Sequence, residues 1–158
     1  MKILVDADSC PRLAREAVLR AARRTGIQAV FVANRLIPGI VGDKAVMERC
    51  PAGEGTADDR MVELARPGDL AVTRDIPLAC RLVEGSIRVI DDRGRVYTQE
   101  NLREHRSLRD FMLGLAEKGL IGARVRTYGK RELKAFADSF DRILSQLIRE
   151  STRSPSSG

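Results

Sequence analysis

The sequence predicts a three-layer α/β domain: a mainly parallel central sheet covered by helices, with a helical extension at the C-terminal end. Two features carry that prediction. Nearly continuous apolar runs over 2–5, 27–33, 70–73 and 87–90 have the character of strands buried on both faces, which is how parallel strands read. Between them lie stretches whose apolar residues recur every three or four positions, the spacing of a helix with one dry face. Strands that alternate with helices build parallel sheets.

In chain order, the first strand covers 2–5. Pro11 opens a helix to about Thr25, since proline suits a first helical turn, and Leu13, Ala14, Ala17, Val18 and Ala21 share one side of it with arginines opposite. Gly26 stops it. A second strand covers 27–33. Residues 34–55 contain Pro38, Gly39, Gly42, Pro51, Gly53 and Gly55, and a connection of that length is either a functional loop or holds a short strand over 45–49. A helix over 56–65 stops at Pro67-Gly68, a strand covers 70–73, a helix 76–84 and a strand 87–90. Asp91-Asp92-Arg93-Gly94 has the composition of a turn and leads into Val96-Tyr97. Two longer helices are expected over 100–118 and 130–149. The second carries a stripe of Leu133, Phe136, Ala137, Phe140, Leu144, Leu147 and Ile148. Residues 1–150 thus make one domain, and the Ser-rich segment 151–158 is expected to be a disordered tail.

With 158 residues, 43% of them hydrophobic, the chain is long enough to bury a core. No apolar run approaches a membrane span, and an acid at position 6 comes too early for a signal peptide, so a cytoplasmic protein is expected. Cys10, Cys50 and Cys80 lie far apart without paired spacing and read as reduced thiols, not as a disulfide frame or a zinc site. The formal charge of +6 favours a polyanionic partner such as RNA or another nucleic acid. Four Phe, two Tyr and no Trp leave little material for stacking on bases. A homo-oligomer is neither required nor excluded.

Open α/β sheets bind ligands beyond the carboxyl ends of their strands, where the strand order reverses. Asp6 and Asp8 follow the first strand, Asp75 follows the strand over 70–73, and Asp91 and Asp92 follow the strand over 87–90. Asp58 stands at the head of a helical face marked by Met61, Val62 and Ala65. If the strands are parallel, these acids meet at one edge. Carboxylates gathered there repel one another and are costly to bury unpaired. With no Cys or His among the set, they suit a hard cation, Mg²⁺ or Mn²⁺. One or two such ions activate a water and stabilise the leaving oxygen of a phosphodiester. Asp6, Asp58 and Asp75 are therefore the candidate catalytic acids and metal ligands, with Asp8 and Asp91 as outer metal-site acids. Ser9 is a candidate to orient a ligand or an acid. Arg35, after the second strand, and Arg124 and Arg126, between the last helices, are candidates to touch substrate phosphates.

Several of these residues also have plain structural roles open to them. Asp8 or Asp75 would cap the helix that follows it. Thr56 and Asp59 resemble a capping box with Asp in place of Glu, and Asp92 fits the turn. Asp6 ends a buried strand, where no cap is needed. Cys10 lies at a helix start, which would lower its pKa, although the role of a small buried hydrophobe fits all three cysteines. His105, between Glu104 and Arg106, is expected to be exposed and not catalytic.

The stretches Val5-Asp6-Ala7-Asp8-Ser9-Cys10-Pro11, Ala57-Asp58-Asp59, Pro67-Gly68-Asp69-Leu70-Ala71-Val72-Thr73-Arg74-Asp75-Ile76-Pro77-Leu78-Ala79 and Arg109-Asp110-Phe111-Met112 resemble the YaiI/YqxD family of bacterial proteins. Tyr97-Thr98 and Lys134-Ala135-Phe136-Ala137 fit it as well, so the resemblance covers the chain to about residue 149. It implies a fold similar to that of PIN-domain nucleases, in which acids at strand ends bind Mg²⁺ or Mn²⁺ and cut RNA. By that resemblance Asp6 corresponds to the acid after the first strand, Asp58 to the helical acid and Asp75 to the acid after the later strand, with Asp91 or Asp92 in a fourth place. The chain departs from the family pattern twice. Where a further acid often precedes the Ala-Asp pair it has Gly55 and Thr56, with Glu54 nearby. Where Asn and Pro tend to precede the Arg-Gly turn it has Asp91-Asp92.

Two other functions fit the residues. Ile3-Leu4-Val5-Asp6-Ala7-Asp8 matches the strand and Asp-x-Asp motif of haloacid-dehalogenase-type phosphatases, with Asp6 as nucleophile and Asp8 as general acid/base. That chemistry needs a lysine between Thr73 and Asp91, where the chain has Arg74, Arg81 and Arg88 and no lysine. A non-catalytic RNA- or nucleotide-binding module would keep the pocket without turnover. The glycines at 39, 42, 53 and 55 form no phosphate loop, because no Gly-Lys-Ser/Thr follows them.

Overall fold

The computed structural model describes residues 1–105, 112–113 and 127–153. Its six strands are β1 (Ile3–Asp6), β2 (Ala29–Ala33), β3 (Ala45–Arg49), β4 (Leu70–Val72), β5 (Arg88–Ile90) and β6 (Val96–Tyr97). They form one sheet in the order β3-β2-β1-β4-β5-β6, parallel throughout except where β6 pairs with β5. The helices are α1 (Arg12–Thr25), α2 (Thr56–Leu64), α3 (Ile76–Glu84), helical residues 99–105 (α4) and α5 (Lys130–Arg153).

Alternation along the strands sorts the core into two halves. Ile3, Val5, Phe31 and Val72 face α1 and α5, meeting Ala14, Val18, Phe136, Phe140 and Leu144. Leu4, Val30, Val32, Ala71 and Val89 face the other way, onto Met61 of α2, Leu78 and Leu82 of α3, and Leu102 of α4. Three layers result, as the apolar runs predict. Each fully buried Phe or Leu contributes roughly 1.5–3 kcal/mol, which makes the α5 stripe a firm attachment. Among the described residues no helix is long and apolar enough to cross a membrane.

The segment 34–55 does contain a strand. β3 lies parallel to β2 at the sheet edge, and the connection before it lays Ile37 and Ile40 against the α1 side of the core. Gly26 ends α1 in the left-handed conformation at φ 74°, as its position predicts. Asp75 caps α3, its Oδ1 accepting from Leu78 N at 2.9 Å.

Other expected local roles are corrected. Asp8 caps nothing, since α1 has no side-chain cap. The Thr56–Asp59 capping box does not form: Gly55 is the cap residue, so Thr56 stands one position too late, and its hydroxyl donates to Pro51 O at 2.7 Å. Asp59 pairs with Arg81 at 2.9 Å instead. A reciprocal box occurs at α4, where Thr98 N donates to Asn101 Oδ1 (2.8 Å) and Asn101 N to Thr98 Oγ1 (3.1 Å). The segment expected to begin a disordered tail at 151 is helical to Arg153, with the Ser151 and Thr152 hydroxyls donating back to Ile148 O and Arg149 O. Residues 154–158, and most of the helix expected over 100–118, lie outside the described residues.

Candidate functional site

The chain leaves β1 through α1 toward β2 on one side, whereas β4 adds to the other side of β1, so strand order reverses between β1 and β4. Asp6, the last residue of β1, stands at that point and is 7% exposed. Its Oδ2 accepts hydrogen bonds from Thr73 Oγ1 at 2.8 Å and from Ser9 Oγ at 3.0 Å. Thr73 Oγ1 in turn accepts from Asp75 N at 3.1 Å, so one hydroxyl ties the β1 acid to the loop that carries Asp75. Burial pushes the Asp6 carboxyl up; the two hydroxyl bonds pull it down, and the charges of Asp75 and Asp8 add to the rise. Asp58, in the first turn of α2, is pushed up by burial and then by the charges of Asp75 and Asp6, against Arg81. The charge of Asp75 thus bears on both Asp6 and Asp58, and that of Asp6 on Asp58. Among the described residues, however, no three Asp, Glu, His or Cys side chains close into a cluster able to hold a metal ion.

The other candidates divide. Asp8 accepts from Asn34 N at 2.8 Å and pairs with Arg35 Nε at 3.3 Å, so this acid and this arginine hold the loop after β2 together. Asp91 directs its Oδ1 into the turn, accepting from Arg93 N and Arg95 N at 2.9 Å each. Its neighbour Asp92 faces a crevice instead, one too tight to admit a water, lined with Asp6, Ser9, Cys10, Val72, Thr73 and Arg74. Asp92 is 3% exposed, and neither of its carboxylate oxygens has a hydrogen-bond partner among the described residues. Burial pushes its carboxyl up against the pull of Arg74 and Arg93. Arg124 and Arg126 lie outside the described residues.

The family model described as "Uncharacterized BCR, YaiI/YqxD family" matches residues 4–146, from β1 well into α5. The chain belongs to the YaiI/YqxD family. It is similar to a "UPF0178 protein" of Treponema pallidum (strain Nichols), 46% identical over 153 residues that cover 97% of this chain and 86% of that one. A "UPF0178 protein" of Syntrophobacter fumaroxidans is 43% identical over 151 residues, covering 94% and 97% of the two chains. One from Vibrio atlanticus is 37% identical over 146 residues, covering 92% and 99%. No solved structure matches.

In this YaiI/YqxD chain the turn that aims Asp92 is held from α5 and the residues just before it. Tyr128 Oη donates to Asp92 O at 2.6 Å and Ser139 Oγ to Gly94 O at 2.7 Å. Gly94, at φ 83°, lies so close to α5 that an added Cβ would meet Ala135 O and come within 2.9 Å of Ser139 Cβ. The lone polar Ser139 within an apolar helical stripe is the sequence signal for this dock. Thr73, not counted among the candidate site residues from the sequence, ties Asp6 to the loop that carries Asp75; its signal is a hydroxyl residue closing a buried strand two positions before an acid. Cys10 is corrected as well. Burial, and then the nearby charge of Asp92, push its thiol up to about 12, overriding any lowering from the helix start. His105 is half-buried against the Tyr97 ring, 5.9 Å between ring centres, with Arg95 Nη1 3.1 Å from its Nε2.

Proposed function

We propose that this protein is a Mg²⁺- or Mn²⁺-dependent phosphodiesterase that cuts RNA through a PIN-like acidic site built on Asp6, Asp58 and Asp75. One observation carries the reading: at the strand-order reversal, burial first and then neighbouring negative charge, that of Asp75 on both, push the carboxyls of Asp6 and Asp58 up. A cation among them relieves that repulsion. The donor set fits a hard ion, being carboxylate oxygens, whereas Cys10 with its raised pKa is a poor ligand. Mg²⁺ keeps several waters and takes one or two carboxylates, so acids that feel one another's charge without forming a cage suit a hydrated ion. When bound, the ion supplies an activated water and charge for the leaving oxygen.

The chain's own residues do the positioning. Ser9 and Thr73 hold Asp6 Oδ2 in place, Asp75 is pinned by its cap on α3, and Asp58 rides on α2. The charge of +6 supports a polyanionic substrate. The phosphatase alternative is less well supported, because Asp8, its required acid/base, is bonded to Asn34 and Arg35.

The test is calorimetric titration of Mn²⁺ into native protein and Asp6→Asn, paired with cleavage of labelled single-stranded RNA. Native protein is expected to bind the ion and cut; the variant is expected to lose both. Metal binding without cleavage favours the binding module, and a beryllofluoride adduct on Asp6 favours the phosphatase. A metal and RNA response unchanged by the substitution overturns the site.

A further inference from the structure

We propose that Arg74 and Arg93, which flank the buried carboxylate of Asp92 without hydrogen-bonding to it, form a cleft for one backbone phosphate of single-stranded RNA beside Asp6, a role that rests on the function proposed above. Each guanidinium approaches a different oxygen: Arg74 Nη1 lies 3.8 Å from Oδ2 and Arg93 Nη1 lies 3.5 Å from Oδ1. Both are longer than the roughly 2.7–2.9 Å of a charge-assisted hydrogen bond. Asp92 thus leaves its cations unsatisfied, and their side chains remain 55% and 34% exposed. Asp6 and Asp92 both line the crevice with Arg74, so Arg74 and the neighbouring Arg93 offset two carboxylates and keep the crevice from being anionic. A phosphodiester approaching Asp6, Asp58 and Asp75 meets repulsion unless positive charge stands beside them. Guanidinium groups supply it with planar paired donors that match phosphate geometry.

The backbone fixes both arginines. Arg74 follows Thr73, whose hydroxyl is bonded to Asp6. Arg93 sits in the turn anchored by Tyr128, and its guanidinium lies 6.0 Å from the centre of the Tyr128 ring. Arg35 and Arg81 differ, because each donates a hydrogen bond to its acid, Arg35 to Asp8 at 3.3 Å and Arg81 to Asp59 at 2.9 Å. Asp92 therefore holds the two cleft arginines in place electrostatically until a phosphate, a better-matched anion, takes over.

The experiment is fluorescence anisotropy of end-labelled single-stranded RNA in EDTA, which reads binding without metal or cleavage, over a range of salt concentrations. Arg74→Gln and Arg93→Gln are each expected to weaken binding and to flatten the slope of log Kd against log salt by about 0.7, the single-strand value for one lost phosphate contact. Arg74→Lys and Arg93→Lys should keep the slope and lose part of the affinity. Asp92→Asn, which removes the competing charge, should tighten binding several-fold. Arg88→Gln, at the start of β5 on the opposite edge of the sheet, should change nothing. Urea midpoints close to native identify variants that are folded. Native slopes in both Gln variants, weaker binding by folded Asp92→Asn, or no RNA binding by native protein overturns the cleft. Native slopes alongside intact, Asp6-dependent cleavage overturn the cleft alone. Altered slopes without metal binding or cleavage overturn the nuclease and leave the cleft standing.

Discussion

Replacing Gly94 with alanine tests the contact that aims Asp92 at the crevice. Gly94 stands at φ 83°, a left-handed conformation that costs an L-residue roughly 1–2 kcal/mol. The new Cβ meets Ala135 O and lies 2.9 Å from Ser139 Cβ, both on α5; overpacking of this kind costs about 1–3 kcal/mol. If α5 retreats to make room, the 2.7 Å bond from Ser139 Oγ to Gly94 O is lost, at about 1 kcal/mol. The expected total is about 2–5 kcal/mol, a large share of the roughly 5–15 kcal/mol that holds a domain folded. Gly26→Ala is the internal control. Its φ is 74° and nothing lies within 4 Å of the added Cβ, so only the conformational cost of roughly 1–2 kcal/mol applies. Urea denaturation followed by far-ultraviolet circular dichroism gives both values, provided the slope m is unchanged. The Gly94 variant should lose at least about 1 kcal/mol more than the Gly26 variant, the low end of the overpacking range. Equal losses would refute the close docking of α5 on the turn.

Two further outcomes follow from the electrostatics. The raised carboxyl of Asp58 means that the folded protein holds this proton more tightly than the unfolded chain does, so its ionised form opposes folding. In EDTA, Asp58→Asn should therefore be more stable than native protein at pH 7. The advantage should shrink as pH falls through the elevated folded-state value and vanish below the ordinary 3.8; urea midpoints across pH that differ by a constant amount would contradict this. Cys10, buried with its thiol pushed up to about 12, should resist a disulfide reagent at pH 8 until the protein is unfolded. Rapid labelling of Cys10 in a folded Cys50→Ser, Cys80→Ser protein would show that the crevice is open.

The sheet and the layers were readable from the chain because burial imposes a period on it. β1 and β4 are dry on both faces, so 2–5 and 70–73 stand out as apolar runs within a residue of their ends. The α5 stripe stands out for the same reason, with Phe136, Phe140, Leu144 and Leu147 buried. β3 was harder to read, since an edge strand that is only half-buried mixes Ala, Val and Met with Glu and Arg. β1, β4 and β5 run parallel and each ends at or just before an Asp, which puts those acids at one end of the sheet. That much needs only local sterics and the count of residues between elements.

Which acid faces which partner was a different matter. Asp91 and Asp92 are adjacent and chemically identical, so composition assigns both to the turn. Their exchange of roles comes from the backbone of 91–95, which folds Asp91 Oδ1 onto two N–H groups, and from Tyr128 and Ser139, both more than thirty positions away, which clamp that backbone. Thr73 reaches Asp6 across 67 positions of sequence, and the Cys10 thiol is governed by burial beside Asp92 more than by its own helix. Periodic burial is a short-range property and is written along the chain. The direction of a side chain at a strand end, and the charge it feels, are set by neighbours that only the folded molecule brings near.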